Sequence, residues 1–524
     1  MPKVLIADKL SPQAIDVFKQ RGVEADVKTG LSPEEILKII GEYDGLAVRS
    51  ATKATAALIK AGTKLKVIGR AGIGVDNVDI PAATASGVVV MNTPFGNSVT
   101  TAEHTISLMM SLARQIPQAN ASTHAGKWEK SGFMGVELAG KTLGLIGAGN
   151  IGSIVADRAQ GLKMKVIASD PFLSKEKATE LNIEKVELDE LLKRADFITL
   201  HTPLTESTRN ILNKDAFAKC KKGVRIVNCA RGGLVNEADI KAAIESGQVA
   251  GAAFDVFEEE PAKTNILFGM EQVICTPHLG ASTTEAQENV AVQVAEQMAD
   301  YLTTGAVTNA LNIPSMSAED AAKLKPYLQL VDELGSFAGQ LTENGLTKVQ
   351  IDYEGKAAKL NTKPLTAVAL KGLLAPMIAG VNMVNAPVVA KERGIEVSST
   401  SHDRVGDYQT LIRITVTTEK RTRTVAGTLF ADQPRIVEVN GIKLEAGLGK
   451  KTLYVNNDDK PGFIGSLGTL LGKAGVNIAY FHLGRNEAGS EAIALVEVDQ
   501  AIPAETMAEI AKLPSVKQVK LLEF

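Results

Sequence analysis

Lys141-Thr142-Leu143-Gly144-Leu145-Ile146-Gly147-Ala148-Gly149-Asn150-Ile151-Gly152 is a short apolar run that ends in three spaced glycines. Such a run predicts a buried strand, and the residues after it predict the opening turn of a helix. Gly147 would make the tight turn, Gly149 would let backbone approach a pyrophosphate, and Gly152 would allow close packing of helix on strand. The exposed N–H groups of that helix start suit phosphate charge. A glycine pattern alone is weak evidence, but here the next strand ends Ala168-Ser169-Asp170. An acid at Asp170 can accept hydrogen bonds from both hydroxyls of an adenosine ribose and would repel a 2′-phosphate. The reading is therefore an NAD site rather than an NADP site.

Outward from this loop, apolar runs at 142–146, 165–169, 196–201, 224–229, 249–255 and 273–276 alternate with helical patterns. Six strands in that rhythm predict a doubly wound α/β sheet. Upstream, runs at 4–7, 45–48 and 67–69 alternate in the same way with helices such as 33–40. A long helix is expected from Thr100, where Thr100-Thr101-Ala102-Glu103 fits a capping box. Its apolar face would be Ile106, Met109, Met110, Ala113 and Ile116. Beyond Ile313-Pro314-Ser315-Met316-Ser317 the texture changes. The region to about Gly449 reads as helices and then antiparallel strands at 408–418 and 424–430. The final stretch reads β-α-β-β-α-β, a ferredoxin-like order.

Length and composition agree. At 524 residues the chain is long enough for three or four domains. It carries 57 Lys+Arg against 60 Asp+Glu, a formal charge of -3, which argues against a protein built to grip nucleic acid. Only three cysteines occur, Cys220, Cys229 and Cys275, with no CxxC spacing, so neither a disulfide framework nor a thiolate metal site is expected. The N-terminus lacks a signal-peptide pattern. The most apolar stretch, 365–384, contains Lys371, and a mid-bilayer Lys costs roughly 2.5–3.5 kcal/mol. It reads as a buried helix and turn, and no membrane partner is expected.

Three polar residues fall just past successive strands of the second series: Arg231, Glu260 and His278. Ligands of open α/β sheets bind at that carboxyl edge. A hydride-transfer enzyme acting on an alcohol needs a general acid/base near neutral pH, which His278 supplies. Glu260 would raise its pKa and fix its tautomer. Arg231 would hold a substrate carboxylate bidentately. Singly, each also reads as an ordinary surface or loop residue. His201 is a rival base better placed for cofactor contact, and His104 lies inside the capped helix. Gly72-Ile73-Gly74-Val75-Asp76-Asn77 reads either as a tight connection or as a nest of N–H groups for a carboxylate.

Taken together, the glycine loop, Cys229-Ala230-Arg231-Gly232-Gly233-Leu234-Val235, Asp255-Val256-Phe257-Glu258-Glu259-Glu260-Pro261 and Thr276-Pro277-His278-Leu279-Gly280-Ala281-Ser282-Thr283 resemble the D-2-hydroxyacid dehydrogenase family. Val48-Arg49-Ser50-Ala51-Thr52, the Gly69–Asp79 block and Asn92-Thr93-Pro94-Phe95-Gly96-Asn97 resemble its long, four-domain branch, whose chains end in an ACT domain. The resemblance implies a Rossmann-type domain, 98–284, inserted in a flavodoxin-like substrate domain, 1–97 and 285–312. An α+β regulatory domain, 315–449, and a ferredoxin-like ACT domain, 450–524, would follow.

It implies roles as well. His278, Glu260 and Arg231 would be catalytic. Gly147, Gly149, Asn150, Ile151, Gly152, Asp170, Thr202, Cys229, Ala230, Asp255, Gly280 and Ala281 would line NAD. Arg49, Ser50, Gly74, Val75 and Asn97 would contact substrate, the arginine favouring a phosphate. The implied reaction is oxidation of 3-phospho-D-glycerate to 3-phosphohydroxypyruvate, the first step toward L-serine, in a cytoplasmic homotetramer or homodimer. Trp128 would fall in the segment reaching a neighbour. Asp459 and Asn477 match effector positions of related tails, with L-serine the first candidate effector. The segment Asn456-Asn457-Asp458-Asp459 lacks the histidine of some serine-sensitive relatives. The alternatives are a glyoxylate or hydroxypyruvate reductase and, more remotely, an NAD-sensing corepressor.

Overall fold

The computed structural model describes residues 1–343, 345–403 and 406–524. Five parallel strands form the first sheet: β1 (Lys3–Ile6), β2 (Glu24–Val27), β3 (Gly45–Val48), β4 (Val67–Arg70) and β5 (Val89–Met91). Their order is β2-β1-β3-β4-β5, the flavodoxin-like winding. Alternate residues serve opposite faces. Val4, Ile6, Ala47, Val67 and Val89 join one core cluster, while Leu5, Leu46, Val48, Ile68 and Val90 join another. Burial on both faces is why these strands read as continuous apolar runs.

The second sheet has seven parallel strands: β6 (Thr142–Ile146), β7 (Lys165–Ser169), β8 (Glu184–Lys185), β9 (Phe197–Leu200), β10 (Val224–Asn228), β11 (Val249–Phe254) and β12 (Val273–Cys275). Their order is β12-β11-β10-β9-β6-β7-β8. The strand order reverses between β6 and β9, which places the switch point, and hence the ligand crevice, beside the glycine loop. Six of these strands match the sequence reading. The seventh, β8, is a fully exposed Glu-Lys pair at the edge. The edge strand β2, Glu24-Ala25-Asp26-Val27, has no fully buried residue, and neither is a continuous apolar run.

Two connections join the sheets. The chain leaves β5, enters helix Ser98–Arg114 and packs it on the second sheet. It returns along helix Thr284–Thr304, which lies so close to the first sheet that a Cβ at Gly69 would stand 2.2 Å from the Met298 sulfur. Asn312 then accepts from Val90 N and donates to Val88 O, sealing the sheet's edge. The helix at 98 differs from expectation. It starts two residues before Thr100, with Asn97 as an N-cap whose side chain makes no capping bond. Thr100 Oγ1 instead faces Thr283 Oγ1 at 3.3 Å. The buried face holds Ala102, Thr105, Leu108, Met109, Leu112 and Ala113, while Met110 is exposed. A capping box does occur at Ser32 and Glu35, where it starts helix Pro33–Ile39.

The third sheet comprises β13 (Leu346–Gly355), β14 (Glu396–His402), β15 (Thr410–Thr418), β16 (Thr422–Phe430), β17 (Gln433–Val439) and β18 (Ile442–Ala446), in the order β14-β13-β15-β16-β17-β18. Helices Ala318–Gln340 and Thr362–Leu374 cover it. They touch backbone to backbone, and a Cβ at Gly339 would meet the Leu373 carbonyl oxygen at 2.2 Å. No helix is long and apolar enough to cross a membrane among the described residues.

The last sheet, β19 (Lys451–Asp458), β20 (Ile478–Arg485), β21 (Glu491–Val498) and β22 (Val516–Glu523), has the antiparallel order β20-β21-β19-β22. Two helices, Phe463–Lys473 and Ala504–Ala511, complete the expected β-α-β-β-α-β unit. It is joined firmly to the preceding unit. The Gln340 side chain donates to Glu523 O at 2.7 Å and accepts from Glu523 N at 3.0 Å. Phe337 meets Tyr454 edge-on at 5.9 Å. At the opposite edge a Cβ on Gly484 would stand 2.4 Å from the Lys443 carbonyl. One apolar cluster runs from Val4 through Met298 and Leu334 to Leu522.

Candidate active site

The loop after β6 shows why each glycine is needed. Gly147 takes φ 95°, and a Cβ there would meet the His201 carbonyl oxygen at 2.5 Å and Thr202 N at 3.2 Å. A Cβ at Gly152 would stand 2.3 Å from the Gly147 carbonyl oxygen. Gly149 faces open space and caps helix Asn150–Gly161 without a side-chain bond, so the helix start is free to receive a phosphate. Asp170 accepts from Ala148 N at 2.8 Å and from Phe172 N at 2.7 Å, which fixes its carboxylate beside the loop. Open backbone at Gly149 and an anchored acid at the end of β7 fit an adenine dinucleotide.

The chemistry lies between the two parallel sheets. A cavity of about 710 Å³ is lined by Arg49, Ser50, Arg70 and Asn97 from the first lobe and by Asp255, Glu260, His278 and Ala281 from the second. His278 Nδ1 is 2.6 Å from Glu260 Oε2. The other oxygen, Glu260 Oε1, accepts from Phe257 N at 3.0 Å, so the carboxylate is held at both ends. The hydrogen bond to Glu260 raises the His278 pKa against the opposing effect of burial. Burial pushes Glu260 up, but the His278 and Phe257 hydrogen bonds outweigh it and leave its pKa lowered. The outcome is a carboxylate–imidazole pair in which Nε2 is the nitrogen turned away from the acid.

Arg231 stands at the rim. Its guanidinium bonds Ala230 O at 2.6 Å and pairs with Asp76 at 3.2 Å. It also lies so close to Gly74 that a Cβ there would be 1.9 Å from Nη2. The structure therefore brings Arg231, Gly74 and Val75 into one corner. The N–H groups of Gly74 and Val75 make no hydrogen bond among the described residues, which favours the nest reading of this turn.

Several residues of the site escaped sequence reasoning. Arg70, at the end of β4, is largely buried; burial, reinforced by the neighbouring Arg231 charge, lowers its pKa to about 10. Its Nε is buried without a partner. With Arg49 it puts two guanidinium groups on the first lobe's wall of the cleft, and Arg231 stands at the rim paired with Asp76. Asp8, at the end of β1, accepts from the N–H groups of Arg49, Ala51 and Thr52 and so shapes the Arg49–Ser50 turn. Asn77 Nδ2 closes the same turn through Arg49 O at 2.9 Å. Polar residues at the ends of β1 and β4 were the available signal.

Other expected contacts sort differently. Asp255 is fully buried and accepts from Thr276 Oγ1, Leu279 N and Gly280 N at 2.6–2.8 Å. Asn97 lines the cleft with its Oδ1 buried and unpartnered. Ala230 N donates to Asn228 Oδ1 at 3.1 Å. Ile151 packs into the core and Asn150 is exposed at the helix start. Cys229 is buried, and burial pushes its thiol up to about 12 against the opposing effect of a hydrogen bond with Thr105. His201 Nδ1 is buried and unpartnered; burial depresses the ring to about 3, so it remains neutral and unsuited to act as the base. Asp459 and Asn477 are not brought together. Asp459 bonds Arg485 and Gly489 N, whereas Asn477 bonds Asp499 and Gln500. Strand register puts them at opposite ends of the last sheet.

Comparison with known proteins agrees with this geometry. Residues 106–280 match the NAD binding domain of D-isomer specific 2-hydroxyacid dehydrogenases, 323–440 the D-3-phosphoglycerate dehydrogenase intervening domain, and 451–515 the ACT domain. A D-3-phosphoglycerate dehydrogenase of Synechocystis is 44% identical over 99% of this chain and 94% of its own length. One of Methanocaldococcus jannaschii is 43% identical over the whole of both chains. The NAD⁺-bound 3-phosphoglycerate dehydrogenase of Entamoeba histolytica superposes with a TM-score of 0.51 at 29% identity, covering 59% of this chain and 98% of that one.

Proposed function

The chain belongs to the D-3-phosphoglycerate dehydrogenase family, and from that premise we propose how its own residues perform the reaction. It is an NAD-dependent dehydrogenase that oxidises 3-phospho-D-glycerate to 3-phosphohydroxypyruvate, the entry to serine biosynthesis. The observation that carries the residue roles is the His278–Glu260 pair at 2.6 Å, opening on a cleft with three arginines.

NAD, when bound, accepts the C2 hydride. The glycine loop and the start of helix Asn150–Gly161 would hold its pyrophosphate, and Asp170 would take its adenosine ribose. Arg231, with the Gly74 and Val75 N–H groups, grips the substrate carboxylate. Arg49 and Arg70, with Ser50 and Asn97, receive the phosphate. His278 Nε2 takes the hydroxyl proton as the hydride leaves, and Glu260 stabilises the imidazolium so formed. In the reverse direction the same imidazolium returns the proton. Closure of the two lobes excludes water.

The domain limits remain those of the sequence reading, supported by each sheet drawing its strands from one of those segments. A small amino acid, L-serine first, is the proposed effector of the ACT domain. An effector touching both Asp459 and Asn477 would have to lie between two chains. That accords with a homo-oligomer in which Trp128, 88% exposed, reaches a neighbour. A cytoplasmic location accords with the pathway. The test is NADH-dependent reduction of phosphohydroxypyruvate, hydroxypyruvate, glyoxylate and pyruvate, each with and without L-serine. A strong preference for the phosphorylated acid is expected; preference for an unphosphorylated one would overturn the substrate assignment.

A further inference from the structure

The first turns of helix Ser98–Arg114 hold the loop that carries His278. Thr100 Oγ1 faces Thr283 Oγ1 at 3.3 Å. Thr101 Oγ1 donates to Gly280 O at 2.8 Å. His104 Nε2 stands 3.2 Å from Asp255 Oδ1 and 3.3 Å from Thr276 Oγ1. Asp255 is the hub. Its carboxylate accepts from Thr276, Leu279 and Gly280, and its carbonyl accepts from His278 N at 2.9 Å. Burial disfavours its charge, yet the bonds from His104, Thr276 and Leu279 prevail and keep its pKa lowered.

This hub has a conformation to maintain. His278 takes φ 56°, a left-handed backbone uncommon for a residue with a Cβ, and its N–H is held there by the Asp255 carbonyl. Asp255 binds the residues on both sides of that position. The same helix begins where the chain crosses from the first sheet to the second, and Thr283 caps the helix of the return crossing. Both crossings and the catalytic loop therefore meet at one cluster of side chains.

We propose that His104 is a positioning residue for the dehydrogenase reaction. Through its Nε2–H it fixes Asp255, and through Asp255 the turn that aims His278 Nε2 at the substrate hydroxyl. His104 itself is not among the residues that line the cleft. This inference rests on His278 being the acid/base of the proposed reaction.

The test compares His104→Leu, which removes the donor, with His104→Gln, whose side-chain amide N–H replaces it. In His104→Leu, kcat is expected to fall roughly 10-fold or more, since small misplacement of a reacting group is costly. The primary deuterium isotope effect with C2-deuterated substrate should rise, because hydride transfer becomes more nearly rate-limiting. KM and the NADH dissociation constant should remain within about twofold, as expected when only an interaction of the transition state is lost. His104→Gln should recover most of kcat. Wild-type kcat and isotope effect in His104→Leu would overturn the proposal. So would equal losses in both variants accompanied by a lowered melting temperature, which is the mark of a purely structural role. If His104→Leu fails to fold, Thr101→Val, which frees Gly280 from the same helix, must show the same kinetic signature or the proposal fails. The wild-type enzyme is assayed first with the phosphorylated and unphosphorylated acids. Failure of the substrate assignment appears there, and the isotope comparison then proceeds with whichever acid is turned over.

Discussion

His278 and Glu260 meet at 2.6 Å, Nδ1 to Oε2, across eighteen residues of chain, and the acid is itself anchored by Phe257 N. The pair raises the His278 pKa, so the pH dependence of catalysis reports on Glu260 directly. Oxidation needs the neutral imidazole and gains rate as pH rises through that raised pKa. Reduction needs the imidazolium and loses rate over the same interval. In Glu260→Gln the stabilising charge is gone, so both limbs should move to lower pH, with kcat reduced by about 10²-fold. Profiles of kcat/KM against pH in both directions check this; limbs that stay in place would remove Glu260 from the role.

His278→Ala deletes the proposed proton acceptor while leaving the glycine loop intact. A fall in kcat of about 10²–10⁴-fold is expected, with NADH affinity, measured by fluorescence titration, largely kept. Equal loss of both would count against the assignment.

Asp170 is fixed beside the glycine loop by Ala148 N and Phe172 N. Asp170→Ser removes the carboxylate that receives the ribose hydroxyls. With hydrogen bonds to a charged group contributing about 1.5–3 kcal/mol, kcat/KM for NAD should fall by roughly 10–100-fold. Use of NADP, now unrepelled, should improve relative to NAD. Steady-state kinetics with the two cofactors decide it.

Arg49 and Arg70 line the first lobe's wall of the cleft. If they receive the phosphate, Arg49→Ala should lower kcat/KM for phosphohydroxypyruvate by about 10²-fold, the scale of a lost charge-assisted contact, and scarcely change it for hydroxypyruvate. Parallel losses with the two acids would indicate that Arg49 serves the turn rather than the phosphate.

Gly339 lies against the Leu373 carbonyl, where a Cβ would stand only 2.2 Å away. Gly339→Ala should force apart the two helices over the third sheet and cost about 1–3 kcal/mol. The change should be visible as a lowered denaturation midpoint, while the cleft's kinetics remain near those of the wild type. Undiminished stability would mean the helix pair can slide at little cost.

The parallel sheets and the gathering of Arg231, Glu260 and His278 at one sheet edge were legible because each rests on a local pattern. Apolar runs buried on both faces mark strands, and residues such as Arg231, Glu260 and His278 stand directly after them. The polar edge strands β2 and β8 carry no such pattern, and their pairing partners make them strands. The capping box read at Thr100 failed because the Thr hydroxyl has a distant competitor, Thr283, and the chain turns helical already at Ser98. Asp8 and Arg70 were passed over, and His104 was read only as part of its helix, for the same reason. Their significance lies in neighbours 40 to 170 positions away, which no spacing announces. Asp459 and Asn477 lie at opposite ends of the last sheet within one chain, a placement that depends on strand register and that no motif spacing states.

The clasp of Gln340 on Glu523 and the close approach of Gly484 to Lys443 have a bearing on solubility. An open sheet margin offers unpaired N–H and C=O groups on which a foreign strand can template. Here β22 has backbone groups of Glu523 engaged by an amide that cannot propagate a ladder, and β20 is shielded by β18. At those two points the margins of the last sheet are closed to strand addition between chains. Gln340→Ala would uncover one margin, and its first symptom would be self-association on gentle warming rather than any loss of turnover.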